Sequence, residues 1–464
     1  MLCIYVSSNT KYTLVKLENN SSREHNDFAK EIQRDIDKVK ADCLTNHCIV
    51  FRVNPLLYEV NAEAYKPKFV IIGPLLYYKT IYEHFEMQKW MYSDSFLRRA
   101  ETKDHLNDFC QLIKKCALGS YYEVTYFRTW DWPHKIQQSK RPNDGSSDVF
   151  IKMVLVDASF IIELFLRAYH DKKKGRHESD SFRRDLFLAQ NQLPFFILKD
   201  LYELAFGGNS DPSFLDLTCH FFSPYYNQNK SIEDLMKPNH STDEYRAKLE
   251  GAKHFTDLLR TLQFSDSFQK DSSIENQEAD EEQGEYLYSA VLLHEAGVKF
   301  KKSTSRCLLD IEFDQRNGEF RIPSLRVDES TEPFFRNLIA WEQRYYSSDS
   351  YISDYIFLME YLIKSTKDVD LLVRKKILIN QLGSNTAVAT LFNNFCKNVP
   401  KVEKNRYSDI FRKLNAYNAV RHHSWIAILR LQYFSTLWSG VATIAAVILL
   451  VLTLIQTICA VISL

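Results

Sequence analysis

Apolar residues recur at three- and four-residue spacing along most of this chain. That period predicts helices over Ile81–Arg99, His105–Leu118 and Phe150–Tyr169. It returns at Asp185–Phe206 with a break near Pro194, over Pro333–Arg374, and over Thr386–Val399. Inside the longest of these runs, Thr366–Lys367–Asp368 reads as a capped helix start. An amphipathic stretch from Glu24 to Ala41 predicts one more helix, within an otherwise polar N-terminal extension of residues 1–46. Strand signals are fewer: Cys48–Val53 (CIVFRV) and Phe69–Ile72. A hairpin is expected where Cys307–Phe313 alternates, Asn317–Gly318 turns and Glu319–Val327 returns. Arg128–Asp148, with its SKRPNDGSSD run, reads as a loop. So does Ser265–Glu285, a flexible acidic segment with eight carboxylates and one lysine. The expected fold is mainly α-helical, α+β only through a small hairpin or sheet element. Residues 47–430 form one helical domain, and no repeat of 20–50 residues is visible.

The pattern changes character at the C-terminus. No charged side chain occurs from Leu431 to Leu464, and twelve of the 21 residues of Val441–Val461 are Leu, Ile or Val. A bilayer core about 30 Å thick needs roughly 20 apolar residues at 1.5 Å rise. At about −0.3 to −0.6 kcal/mol each, twelve aliphatics favour insertion by roughly 5 kcal/mol. Residues 437–464 are therefore expected to be a single-pass transmembrane tail anchor, with Val441, Leu449, Leu450, Leu452, Ile455 and Val461 in the lipid. A buried core helix would normally keep a polar stripe, and none is present. Arg421 and Arg430 flank it on one side only, behind Arg406, Arg412 and Lys413, which puts the main domain in the cytosol, on a plasma membrane or endomembrane. Trp425, Tyr433 and Trp438 sit where an interfacial aromatic belt forms. The sequons at Asn19, Asn20, Asn229 and Asn239 are then expected to stay unmodified.

Charge narrows the partners. The 464 residues carry 59 basic and 59 acidic side chains, a balance that argues against a nucleic-acid binder. Nine scattered cysteines without a C-x-x-C pair read as free thiols in a reducing compartment. Met1–Val6 is too short an apolar run for a secretory signal.

Candidate chemistry is thin. Asp157 and Glu163 share an apolar helix but point about 120° apart, so buried carboxylates with Arg or backbone partners are expected rather than an acid–base pair. Gln190, Asn191 and Gln192 before Leu193–Pro194 read as amides serving backbone groups freed by the proline, or else as a ligand-orienting cluster. Ion pairing accounts for Glu86 and Lys89, and for Arg336 and Glu342. The Lys172–Lys174 run reads as a solvated loop, and His422–His423 as interfacial. Nucleophile-elbow, zincin, P-loop and dinucleotide motifs are absent from the sequence. No cofactor, metal or small-molecule ligand is expected. The expected partners are a lipid bilayer and another protein. The competing hypothesis is an enzyme of unrecognised, hydrolase-like class in which Asp157, Asp185 and His254 meet in a pocket.

Taken in order, the segments resemble the plant-specific family catalogued as domain of unknown function 247. The resemblance is carried by FRVNPLLYEVNAEAYKPKFVIIGP (Phe51–Pro74), FEMQKW (Phe85–Trp90), MVLVDASFIIELF (Met153–Phe165) and DLFLAQNQLPFFIL (Asp185–Leu198). It continues through HFTDLLR (His254–Arg260), EAGVKFKK (Glu295–Lys302), FFRNLIAWEQ (Phe334–Gln343) and VRKKILINQLGSN (Val373–Asn385). The motif positions are Pro74, Glu86, Lys89, Asp157, Asp185, Asn191, Gln192, Pro194, Gly297, Arg336, Asn337 and Glu342, all expected to be structural. Three departures stand out. Leu75–Tyr78 replace the usual His-His pair after Gly-Pro, Gln190 replaces a Glu, and Ala158–Ser159 replace a Gly-Cys. The resemblance implies an accessory, membrane-associated protein without known catalysis.

Overall fold

The computed structural model describes residues 50–76, 83–100, 105–119, 146–170, 176–207, 210, 212–226, 242–264, 287–305, 307–400, 405–419 and 437–462. Side chains at several helix ends, and at 437–440, 442, 443, 447 and 459–462, lie outside that description. So do the N-terminal extension, the sequons, most of the Arg128–Asp148 loop, the acidic segment, the Lys172–Lys174 run, His422–His423, and the Arg421, Arg430, Trp425 and Tyr433 flank. Two compact units divide the chain at Cys48, and every described residue belongs to the second.

Helices come in sequence order. α1 (Pro55–Val60) starts on a proline, with Asn54 accepting the Leu56 N–H at 3.0 Å, and a 3₁₀ turn (Ala62–Tyr65) follows. Then come α2 (Glu83–Arg99), α3 (His105–Gly119), α4 (Ser146–His170), α5 (Arg176–Leu186), α6 (Phe195–Phe206) and α7 (Phe214–Tyr226). Next are α8 (Thr242–Glu250), α9 (Phe255–Leu262) and α10 (Ala290–Glu295). Strands β1 (Lys299–Lys302), β2 (Glu312–Asp314), β3 (Glu319–Ile322) and β4 (Leu325–Val327) lead into α11 (Thr331–Tyr345), α12 (Tyr351–Leu362) and α13 (Thr366–Arg374). β5 (Leu378–Asn380), α14 (Asn385–Phe395), α15 (Ser408–Ala419) and α16 (Leu437–Ile462) complete the order.

Two helices organise the interior. α4 is buried all round from Ala158 to Leu166, packed by α2, α3, α6 and α7. That explains its near-continuous apolar sequence. Phe165 stands among Phe214, Phe221, Phe222 and Phe255, with ring centroids 4.4–6.0 Å away. α11 does the same for the second half, with Trp341 fully buried and α9, α12, α14 and the 3₁₀ turn around it.

The sheets are small. β3 lies between β1, which is parallel, and β2, which is antiparallel; β4 pairs in parallel with β5. The hairpin turn falls at Gly318, whose φ is +63°. The returning strand is shorter than expected, because Pro323 has no N–H to donate and stops β3. The chain then joins the second sheet, where the Leu325 N–H donates to Ile377 O at 2.8 Å.

Other corrections concern elements. Phe69–Ile72, and the described part of Cys48–Val53, are not strands. The helices expected over Pro333–Arg374 are three, the last starting at Thr366 where the capping sequence placed it. α7 was hidden by Pro224 inside its last turn.

The C-terminus also differs from the expectation. Among the described residues no helix is long and apolar enough to cross a membrane. α16, a helix of 26 residues, therefore does not bear out the spanning helix expected at Val441–Val461. Val441, Leu449, Leu450, Leu452 and Ile455 are exposed on it.

Candidate functional site

The motif positions nominated by the sequence meet around one segment. Residues 66–73 run from the surface into the interior, where Val70, Ile71 and Ile72 are buried. A strand there would need a neighbouring strand for its amides. Side chains from remote helices supply the partners instead. Asp185, at the end of α5, accepts the N–H groups of Lys68 (2.9 and 3.0 Å), Phe69 (2.5 Å) and Val70 (3.0 Å). Asn191 accepts from the Ile72 N–H at 2.7 Å and donates to Val70 O and Asp185 O, each at 3.0 Å. Arg184 donates to Glu63 O and Lys66 O at 2.9 and 3.2 Å. Asn337 of α11 donates to Ala64 O and Pro333 O and accepts the Ala189 N–H. The extended segment is therefore held by a ladder of side chains. Burial pushes the Asp185 carboxyl up, against the lowering effect of the three backbone N–H groups.

The ladder ends in an ion pair. Lys89 on α2 lies 2.6 Å from Asp157 Oδ1 and 3.2 Å from Glu86, and donates to Ile71 O at 2.9 Å. Asp157 Oδ2 accepts the Gly73 N–H at 2.8 Å. Burial works to lower the Lys89 pKa, but the Asp157 and Glu86 carboxylates outweigh it and raise the value. Gly73 has φ +71°, and a Cβ there would sit 2.3 Å from Gln192 O, so nothing larger fits. Pro74 follows and Leu75–Leu76 continue the chain; Tyr77 and Tyr78 lie outside the described residues. Gln192 donates to Leu186 O and Leu188 O and accepts the Phe255 N–H. Its amide thus bridges α5, α9 and the break made by Pro194, the N-cap of α6. Gln190 is buried beside it.

A second cluster surrounds Trp341. Glu342 accepts from Arg260 Nε (3.0 Å), the Ile352 N–H (2.9 Å) and the Ser353 N–H and Oγ (2.8 Å each), so it clamps the start of α12 to α9. Asp257 accepts from Trp341 Nε1 at 2.8 Å and Tyr346 Oη at 2.9 Å. His254 caps α9, its Nδ1 accepting the Asp257 N–H at 3.2 Å. Arg336 pairs with Glu332 at 2.8 Å and donates to Asn394 O. Gly297, φ +98°, closes α10. On α4, Glu163 is fully buried between Arg99 (2.8 Å) and Arg167 (2.7 Å). On α12, Asp354 accepts the Arg406 N–H at 2.9 Å. Burial, with a smaller push from Glu342, raises its pKa to about 7.

These placements do not assemble a reaction centre. Asp157 is engaged by Lys89 and Gly73, Asp185 by the 68–70 amides, and His254 by α9. None of the three lines either of the two cavities described. The expected convergence of these residues is therefore not found. Among the described residues no cluster of His, Cys, Asp or Glu could hold a metal ion. Cys110, Cys116, Cys219 and Cys396 are free thiols, and the Cys307 Sγ donates to Gln263 O at 3.2 Å. Sequence reasoning passed over Arg184, Asp257 and Arg260. Their signal was a charged residue on the apolar side of a helix, visible for Arg260 in HFTDLLR once the period is drawn.

A family described as plant protein of unknown function matches residues 50–452. The UPF0481 protein At3g47200 of Arabidopsis thaliana is 26% identical over 442 residues, covering 90% of this chain and 87% of that protein. A second UPF0481 protein of that plant, At3g02645, is 31% identical over 164 residues, 35% of this chain and 31% of its own length. No solved structure matches.

Proposed function

Since the chain belongs to the plant family of unknown function catalogued as domain of unknown function 247, we propose that it is a protein-interaction module held at the cytosolic face of a membrane by α16. The observation that carries this reading is the composition of α16: 26 residues, LWSGVATIAAVILLVLTLIQTICAVI, without one charge. Side chains such as Leu449 and Leu450 are 65% and 70% exposed. Leaving so much aliphatic surface in water is costly, at about 25 cal/mol per Å², and lipid removes that cost. Orientation follows from Arg406, Arg412 and Lys413 on its N-terminal side. A protein partner is supported by Met87, Trp90 and Met91, exposed at helical spacing on α2.

The test compares the full chain with one ending at Thr436, both expressed in plant cells. The full chain should stay in the membrane pellet through alkaline carbonate washing, and the shortened chain should leave it. External protease on sealed vesicles should digest the main domain, and glycosidase should leave its mass unchanged. Carbonate extraction of the full chain, or a mass shift on deglycosylation, would sink the proposal.

A further inference from the structure

A cleft of about 630 Å³, within the roughly 300–1,000 Å³ range of small-molecule sites, opens beside β4 and the start of α11. It borders the ladder at Lys68, Phe69 and Arg184, and its walls are electrostatically unequal. Lys68, Arg183, Arg184 and Arg326 line it, against the carboxylates of Asp328 and Glu329. Arg184 is partly answered by Asp185 at 3.2 Å. Leaving Arg184 aside, three cations still face two carboxylates, in a chain of zero formal net charge.

The fixed and the available charges can be told apart. Arg183 donates to Phe221 O at 2.7 Å and lies 4.9 Å over the Phe221 ring, which holds its guanidinium in the wall. Asp328 is occupied at the start of α11, where its Oδ1 accepts from the Ser330 N–H and Oγ at 2.9 and 2.6 Å. Asp328 places a carboxylate at that helix start, which is therefore no anion site. Lys68 and Arg326 are both exposed, and the Glu63 carboxylate, itself paired with Lys66 at 2.6 Å, acts on Lys68 only through its field. The apolar side of the cleft holds Tyr225 and Phe334, stacked at 5.1 Å with 16° between planes.

Cations at the rim beside an aromatic shelf define the chemistry of a guest. We propose that this cleft binds a small organic anion, its phosphate or carboxylate on Lys68 and Arg326 and its apolar body against the Tyr225–Phe334 stack. The site stands independently of the membrane reading.

The experiment is ligand-observed saturation-transfer NMR on the full chain in detergent, with phenyl phosphate and benzoate as anions, benzyl alcohol and benzylamine as controls, and inorganic phosphate, which has no carbon-bound proton to observe, titrated as a competitor of phenyl phosphate. At least one aromatic anion should bind about tenfold more tightly than benzyl alcohol and benzylamine. Whichever of the two binds more tightly identifies the head group. The Lys68→Ala/Arg326→Ala double variant should lose that advantage while keeping the wild-type melting temperature, since both side chains are exposed. No saturable binding of either anion would overturn the proposal, as would equal affinity for benzylamine or undiminished binding by the folded double variant. Inorganic phosphate binding as tightly as phenyl phosphate would remove the aromatic shelf from the site and overturn it too.

Discussion

Single residues in this protein act mainly by what they exclude. Gly73 combines a left-handed φ with a neighbour 2.3 Å from any added Cβ. Gly73→Ala should lower unfolding free energy by about 2–4 kcal/mol in a urea titration; a loss under about 0.5 kcal/mol would show that the segment simply shifts aside. Asp354 acts through its proton. Its carboxyl binds a proton more tightly folded, near pH 7, than unfolded, near the ordinary 3.8. The unfolded chain therefore releases that proton first as pH rises, and this group's contribution to stability declines between about pH 4 and 7. Asp354→Asn keeps an acceptor for the Arg406 amide and removes the titration. Compared at pH 5 and 7.5, the variant should gain on the wild type by up to about 3 kcal/mol. An equal difference at both values would place the proton elsewhere. Asp157 and Glu163 were legible as buried carboxylates from their apolar helix, whereas their partners were not. Lys89 and Arg99 come from another helix, and no local pattern encodes a contact 60–70 positions away.

Helix periods were readable wherever one face is buried, as in α2, α3 and α14. Reading failed where a different constraint took over. Phe69–Ile72 has the β-branched content of a strand, yet its amides are taken by Asp185 and Asn191 rather than by a ladder of main chain. Pro323 moved the second half of the expected hairpin arm into another sheet. α13 shows local chemistry deciding a boundary. Ser365 and Asp368 form a capping box, with Ser365 Oγ 2.7 Å from the Asp368 carboxylate, and Asp368 also accepts the Val291 N–H of α10. Ser365→Ala should cost about 1 kcal/mol at the urea midpoint, while Asp368→Ala should cost more because it also unties α10. Equal costs would mean the link to α10 contributes nothing.

For the molecule as a whole, the mainly helical class was visible in the sequence. The site was visible only as a set of motif positions whose common purpose, holding residues 66–73, needed coordinates to see. The partners of that purpose are far apart in the chain: Asp185 with Val70, Asn337 with Ala64 across 273 positions, and Asn398 with Leu56 across 342. Such separations imply slow closure. At roughly 5–20 residues per second, a ribosome takes about 6–24 s to pass from Ile72 to Asn191. Throughout that interval the apolar run Val70–Ile72 has been made and its clasp, Asp185 and Asn191, has not. The nascent chain therefore carries an unpaired apolar stretch until the residues before α6 are made, an interval in which chaperone cover would shield it.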